Sequence, residues 1–169
     1  MPTTLPATIA PTRNRDRGGS TTTAPARSTT TGAPTTTTRA TPTTLAVVPS
    51  AADAPSDALA ALNRDRTSQG LPALRVRPDL QAKAQGWADR MARENALYHS
   101  KLSDGLATCW TGLGENLARS DSVAGAEQGL MRSSLHLSNI LGRWDWVGVG
   151  VARTGSEFVV VQVFMSGCL

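Results

Sequence analysis

Apolar residues fall at helical spacing in the stretch Leu80, Ala84, Trp87, Ala88 and Met91, which follow i, i+4, i+7, i+8 and i+11 behind Pro78. One buried stripe on a helix from Pro78 to about Asn95 is the reading, with proline in the first turn, where its missing N–H costs nothing. A shorter helix over 57–69 precedes it, carrying Leu59, Leu62 and Arg66; Ser56 or Asp57 can cap it, and Gly70 suits its left-handed end. Leu71–Leu74 reads as a connector. From Tyr98 to Ser120 the period fails, and Gly105, Gly112 and Gly114 mark a long irregular loop. A third helix is predicted from Asp121 or Ser122 to Met131, and a short fourth over Leu135–Leu141, closed by Gly142. The chain then turns to period two. Val147, Val149 and Val151 share one face against Trp146, Gly148 and Gly150 on the other, and Phe158–Met165 is a β-branched and aromatic run after the turn Thr154-Gly155-Ser156. Glycines two apart on one face predict a helix packed close on that backbone. This order gives an α+β domain, a small antiparallel sheet covered by helices.

Composition sets the limits of that domain. The first 50 residues hold 17 Thr and seven of the 10 Pro, and all seven aromatic residues lie from Trp87 onward. A segment with so few bulky apolar groups cannot offset the entropy of ordering its backbone, so residues 1–55 are expected to be a disordered Thr/Pro-rich spacer. One domain of ordinary size remains, 57–169, expected to be monomeric.

Charge divides unevenly as well. Residues 1–56 carry five Arg against two Asp, and 57–169 carry 12 Lys and Arg against 11 acids, so most of the net +4 belongs to the spacer. In the domain, Arg alternates with acid, as in Arg64-Asp65-Arg66, which argues against nucleic-acid binding. The longest apolar run of the spacer, Leu45–Val48, is far too short for a signal-peptide core or a membrane span, so no export signal and no membrane span are visible. The spacer composition nonetheless suits a stalk outside a membrane, or a plain linker. Two cysteines, Cys109 and Cys168, read as a disulfide tying the long loop to the last strand, which favours an oxidising compartment; two separate thiols in a cytoplasmic protein is the alternative.

Candidate chemistry is sparse. The only histidines are His99 and His136, and Glu115 lies between them in Gly114-Glu115-Asn116. Two imidazoles and a carboxylate can hold zinc or another divalent metal with a place open for water; the same groups can act as acid and base, or serve only as a hydrogen-bonded structural network. The separations of 16 and 21 residues impose no geometry and leave these three alternatives open.

Six ordered strings narrow the field. Leu62-Asn63-Arg64 with Gly70-Leu71, Leu80 with Ala84 and Trp87-Ala88, His99-Ser100, Gly114–Ala118, Ser133–Leu141, and Val147–Val151 with Val161–Phe164 together resemble the CAP superfamily, the SCP-like domain of cysteine-rich secretory, antigen-five and pathogenesis-related proteins, in its compact bacterial form. The resemblance covers about 57–166. It implies an α-β-α sandwich with a cleft lined by two histidines and two acids, onto which His99, Glu115 and His136 fall. The second acid departs: Leu130 stands where the family has Trp, which puts Ser133 at the acidic position, and Glu127 could substitute only on a shifted helix. Ser134-Leu135 replaces a Pro-Gly. Tyr98, Trp144 and Trp146 are candidates for the cleft rim, Trp87 for the core, and Asn116 and Asn139 for shaping the backbone around the acid and the second histidine.

The resemblance implies a secreted, extracellular or cell-envelope binding module whose cleft takes a lipid, an envelope component or a metal. A metal-assisted hydrolase with Glu115 as base and His99 and His136 as ligands is the alternative. Against it stand the missing second acid and the lack of an activated Ser or Cys nucleophile.

Overall fold

The computed structural model describes residues 53–168 together with Thr3–Thr4 and Thr8–Ile9. Apart from those four residues and from Asp53, Ala54 and Pro55, the last two of which belong to α1, the expected spacer lies outside the described residues. Four helices, α1 (Ala54–Ser68), α2 (Pro78–Glu94), α3 (Val123–Arg132) and α4 (Ser134–Ile140), accompany a sheet of six strands. The strands are β1 (Thr3–Thr4), β2 (Thr8–Ile9), β3 (Arg75–Val76), β4 (Trp110–Ser120), β5 (Trp146–Thr154) and β6 (Glu157–Gly167). The long strands run antiparallel in the order β4-β6-β5. The short ones add parallel pairs at the edges, β1 and β2 on β4 and β3 on β5.

The sheet is filled on both faces, which makes the domain an α-β-α sandwich. One core joins Leu80, Ala84, Ala88 and Met91 of α2 to Leu113 and Leu117 of β4 and to Val159, Val161, Val163 and Met165 of β6. The other joins α1, α3 and α4 to Val147, Val149 and Val151 of β5 and to Val160 and Phe164 of β6. The stripe on α2 and the valine face of β5 therefore pack as their periodicities require.

Local chemistry explains most boundaries. Helix α1 starts three residues before the expected 57, because Pro55 takes the first turn; neither Ser56 nor Asp57 caps it. It ends at Gly70, φ 74°, where Leu71 N–H donates to Arg66 O and Gly70 N–H to Thr67 O, the paired closure that satisfies the last carbonyls. Asn95, left-handed at φ 49°, closes α2, and the Ser122 hydroxyl accepts from Gly125 N–H to open α3. Gly155, φ 62°, turns the β5–β6 hairpin.

The main correction concerns the loop predicted over 98–120. Its second half, Trp110–Ser120, is β4, and residues 112–118 are all buried. A strand covered on both faces loses polar alternation. Two glycines and the pair Glu115-Asn116 then lend it the composition of a loop. Irregular chain remains only from Ala96 to Cys109.

Cys109 and Cys168 are disulfide-bonded, as expected, and fasten the end of that loop to the chain after β6. With the partners separated by 59 positions in sequence, chain entropy gives an upper value of about 4 kcal/mol. Urea unfolding of the full chain with and without reductant should show a loss of that order. A C109S/C168S double variant as stable as the oxidised protein would remove the argument.

Candidate functional site

Strand β4 carries the acid. Along a strand, alternate side chains point to opposite faces, so Glu115 shares the α2 face with Leu113 and Leu117 while Asn116 turns to the three-helix face. Glu115 is wholly buried. Its Oε1 accepts from Ser100 N–H at 2.9 Å and lies 2.7 Å from His99 Nδ1. The irregular segment after α2 thus delivers His99-Ser100 to the carboxylate. Three buried polar atoms there have no hydrogen-bond partner among the described residues: Glu115 Oε2, His99 Nε2 and Ser100 Oγ. Lys83 of α2, whose ammonium donates to Lys101 O and Asp104 O, adds positive potential nearby; burial lowers its pKa, and the Glu115 and Asp104 charges oppose that.

The other expected residues lie on the elements that follow. His136 is buried on α4, in the layer opposite α2, and its carbonyl accepts from Asn116 Nδ2 at 3.1 Å. Ser133 is the half-buried junction of α3 and α4. The Tyr98 ring packs edge-on against Trp87 at 5.2 Å, and its hydroxyl donates to the Glu94 carboxylate at the exposed end of α2. Among the described residues, no three His, Cys, Asp or Glu side chains gather closely enough to hold a metal ion.

Asn116 and Asn139 do more than shape a loop. Asn139 Nδ2 donates to Asn116 Oδ1 at 2.9 Å, Asn116 Nδ2 to Gln162 Oε1 at 3.1 Å, and Gln162 Nε2 to Glu127 Oε2 at 2.6 Å. This buried relay joins α4, β4, β6 and α3 inside the second core, where connected buried hydrogen bonds help fix one packing of the layers. Trp144, a rim candidate, belongs there too. It stacks on Phe164 at 5.7 Å and donates to Asn139 O at 2.7 Å. Arg66 went unrecognised as a structural residue. Almost fully buried, it donates to Ile140 O, Gly142 O and Pro72 O, tying α1 to the end of α4. Its place four residues after Leu62, on the apolar stripe of α1, was the available signal.

Comparison with known proteins identifies the family and the fold. The family model for CAP, the cysteine-rich secretory protein family, matches residues 59–164. The chain belongs to the CAP family. Compared by sequence with curated proteins, it finds no match. Among solved structures, this CAP chain is similar to an outer surface protein of Borrelia burgdorferi, at 14% identity and TM-score 0.60 over 68% of this chain and 93% of that one. An extracellular protein containing an SCP domain from Bacillus anthracis aligns at 24% identity and TM-score 0.59, over 68% of this chain and 41% of its own length. A venom allergen-like protein of Schistosoma mansoni gives 14% identity and TM-score 0.54 over 69% and 90%. At these identities the structures share the fold, an α-β-α sandwich as the family resemblance implied. No helix among the described residues is long and apolar enough to cross a membrane.

Proposed function

We propose that this CAP domain is an extracellular or cell-envelope binding module whose ligand places a polar group against His99 and Glu115. The observation that carries the reading is the buried carboxylate oxygen Glu115 Oε2, unpartnered beside the unpartnered His99 Nε2. Leaving such atoms without partners costs about 1–3 kcal/mol each, more for a charged group, which a bound ligand returns. A carboxylate accepts only, so the complementary ligand group is a hydroxyl or ammonium donor, as on a lipid headgroup or an envelope glycan. The disulfide and the extracellular or outer-surface character named for two structural relatives support the location.

The test is titration of the full chain with short-chain lipids and soluble envelope glycan fragments. At least one is expected to bind saturably, with Glu115→Gln weakening it about ten-fold or more at unchanged fold. Equal affinity in wild type and variant, or no binding across the panel, would sink the reading. Zinc is expected to give the same heat with wild type and His99→Ala. Turnover of any probe, lost in Glu115→Gln, would move the assignment to the hydrolase.

A further inference from the structure

A second concentration of chemistry lies between α1 and α3. Ala61, Arg64 and Asp65 fall at i, i+3 and i+4 on one face of α1, while Glu127, Met131 and Arg132 share the facing side of α3. They line a groove of about 410 Å³, within the size range of small-molecule sites. Its floor is Glu127, only 5% exposed. Gln162 donates to Glu127 Oε2, and the Asp65 side chain is hydrogen-bonded to the same Glu127 carboxyl. The Asp65 carboxyl stands beside it. Arg64 and Arg132 are exposed at the rim, and neither they nor Asp65 form an ion pair among the described residues.

We propose that this groove is a binding site, separate from the His99–Glu115 pair, for a small zwitterion of the amino-acid class. The ammonium sits on the Asp65 and Glu127 carboxyls, the carboxylate meets the Arg64 and Arg132 guanidiniums, and a short apolar side chain covers Ala61 and Met131. Charge balance selects this class. Two acids and two guanidiniums match a ligand carrying one charge of each sign, whereas a simple cation would face the arginines and a simple anion the carboxyls. Guanidiniums are suited to carboxylates because their forked N–H groups bind both oxygens.

Glu127 also supplies a reporter. Burial, reinforced by the Asp65 charge and the Asp65 hydrogen bond and offset in part by the Gln162 hydrogen bond and Arg64, pushes its carboxyl up to about 8. Near neutral pH it holds a proton that an arriving ammonium must displace. Binding therefore strengthens as pH rises from 6.5 to 8.5.

The experiment is NMR titration of the ¹⁵N-labelled full chain with norvaline, butylamine and butyrate at those two pH values. Norvaline is expected to give saturable shifts in residues 61–65 and 124–132, with affinity at least about ten-fold above either single-charge analogue, the worth of one charged hydrogen bond. Asp65→Asn, at a half-buried surface position, should weaken norvaline by a similar factor. Glu127→Gln should remove the pH dependence. The proposal is overturned if no probe gives saturable shifts, if the shifts centre on His99 and Glu115, if butylamine or butyrate binds as tightly as norvaline, or if either variant binds like wild type.

Discussion

Gly150→Ala is expected to unfold the domain or to drive α2 off the sheet, at a cost above about 4 kcal/mol. A Cβ at this position would stand 2.1 Å from Ala84 O and 2.3 Å from Ala84 C, and one at Gly148 would stand 2.2 Å from the Leu80 carbonyl. These obstacles are backbone atoms and cannot rotate away. The close approach has a counterpart at the edge of β5. Gln81 Nε2 donates to Val149 O and its Oε1 accepts from Val149 N–H, and Gln85 does the same at Val151. Four residues of helix rise about 6 Å and two residues of strand about 6.8 Å, so side chains four apart on α2 meet alternate residues of β5 and act as a substitute strand. Moving the helix by the ångström or more that a methyl needs would break both sets of bonds. Gly86→Ala, on the exposed face of α2 with open space around it, is the control and should stabilise by roughly 0.5–1 kcal/mol. Urea midpoints of the two variants decide the matter. Comparable midpoints would mean that the helix is not held to the sheet in this way.

That contact is legible in the amino-acid sequence, because glycines at 148 and 150 interrupt an otherwise β-branched strand and have few uses besides close approach. Helix α2 and the β5–β6 hairpin are legible for a related reason: each buries one face and keeps a period. Strand β4 is hidden because both its faces are covered, and its central residues are the ones that carry chemistry. The pairing of His99 with Glu115 does not follow from a 16-residue separation and rests on family resemblance. That resemblance is less informative about the rest of the cleft. Ser133, the position of the second acid, is a helix junction, and Glu127 turns into the other layer. No short-range pattern could show that Glu127 faces Asp65, since α1 and α3 meet only through the tertiary fold.

Glu127→Gln is expected to flatten the pH dependence of stability across the window from about 4.5 to 8. The carboxyl has an ordinary value of 4.5 and is pushed up to about 8 in the folded protein, chiefly by burial and then by the Asp65 charge. Below 4.5 both folded and unfolded chains hold the proton, and nothing is lost. Between 4.5 and 8 the unfolded chain gives up its proton while the folded one keeps it, so stability falls steadily as pH rises, and above 8 both are ionised and the loss is complete. Integrated over that window, the group destabilises the folded state at high pH by on the order of 5 kcal/mol. The neutral amide cannot ionise, and its oxygen can accept the Gln162 donation. The variant should therefore match wild type near pH 5 and exceed it at pH 9. Denaturant unfolding at those two values measures the gap directly; stability curves that run parallel would show that Glu127 ionises in the folded protein as it does in the unfolded chain.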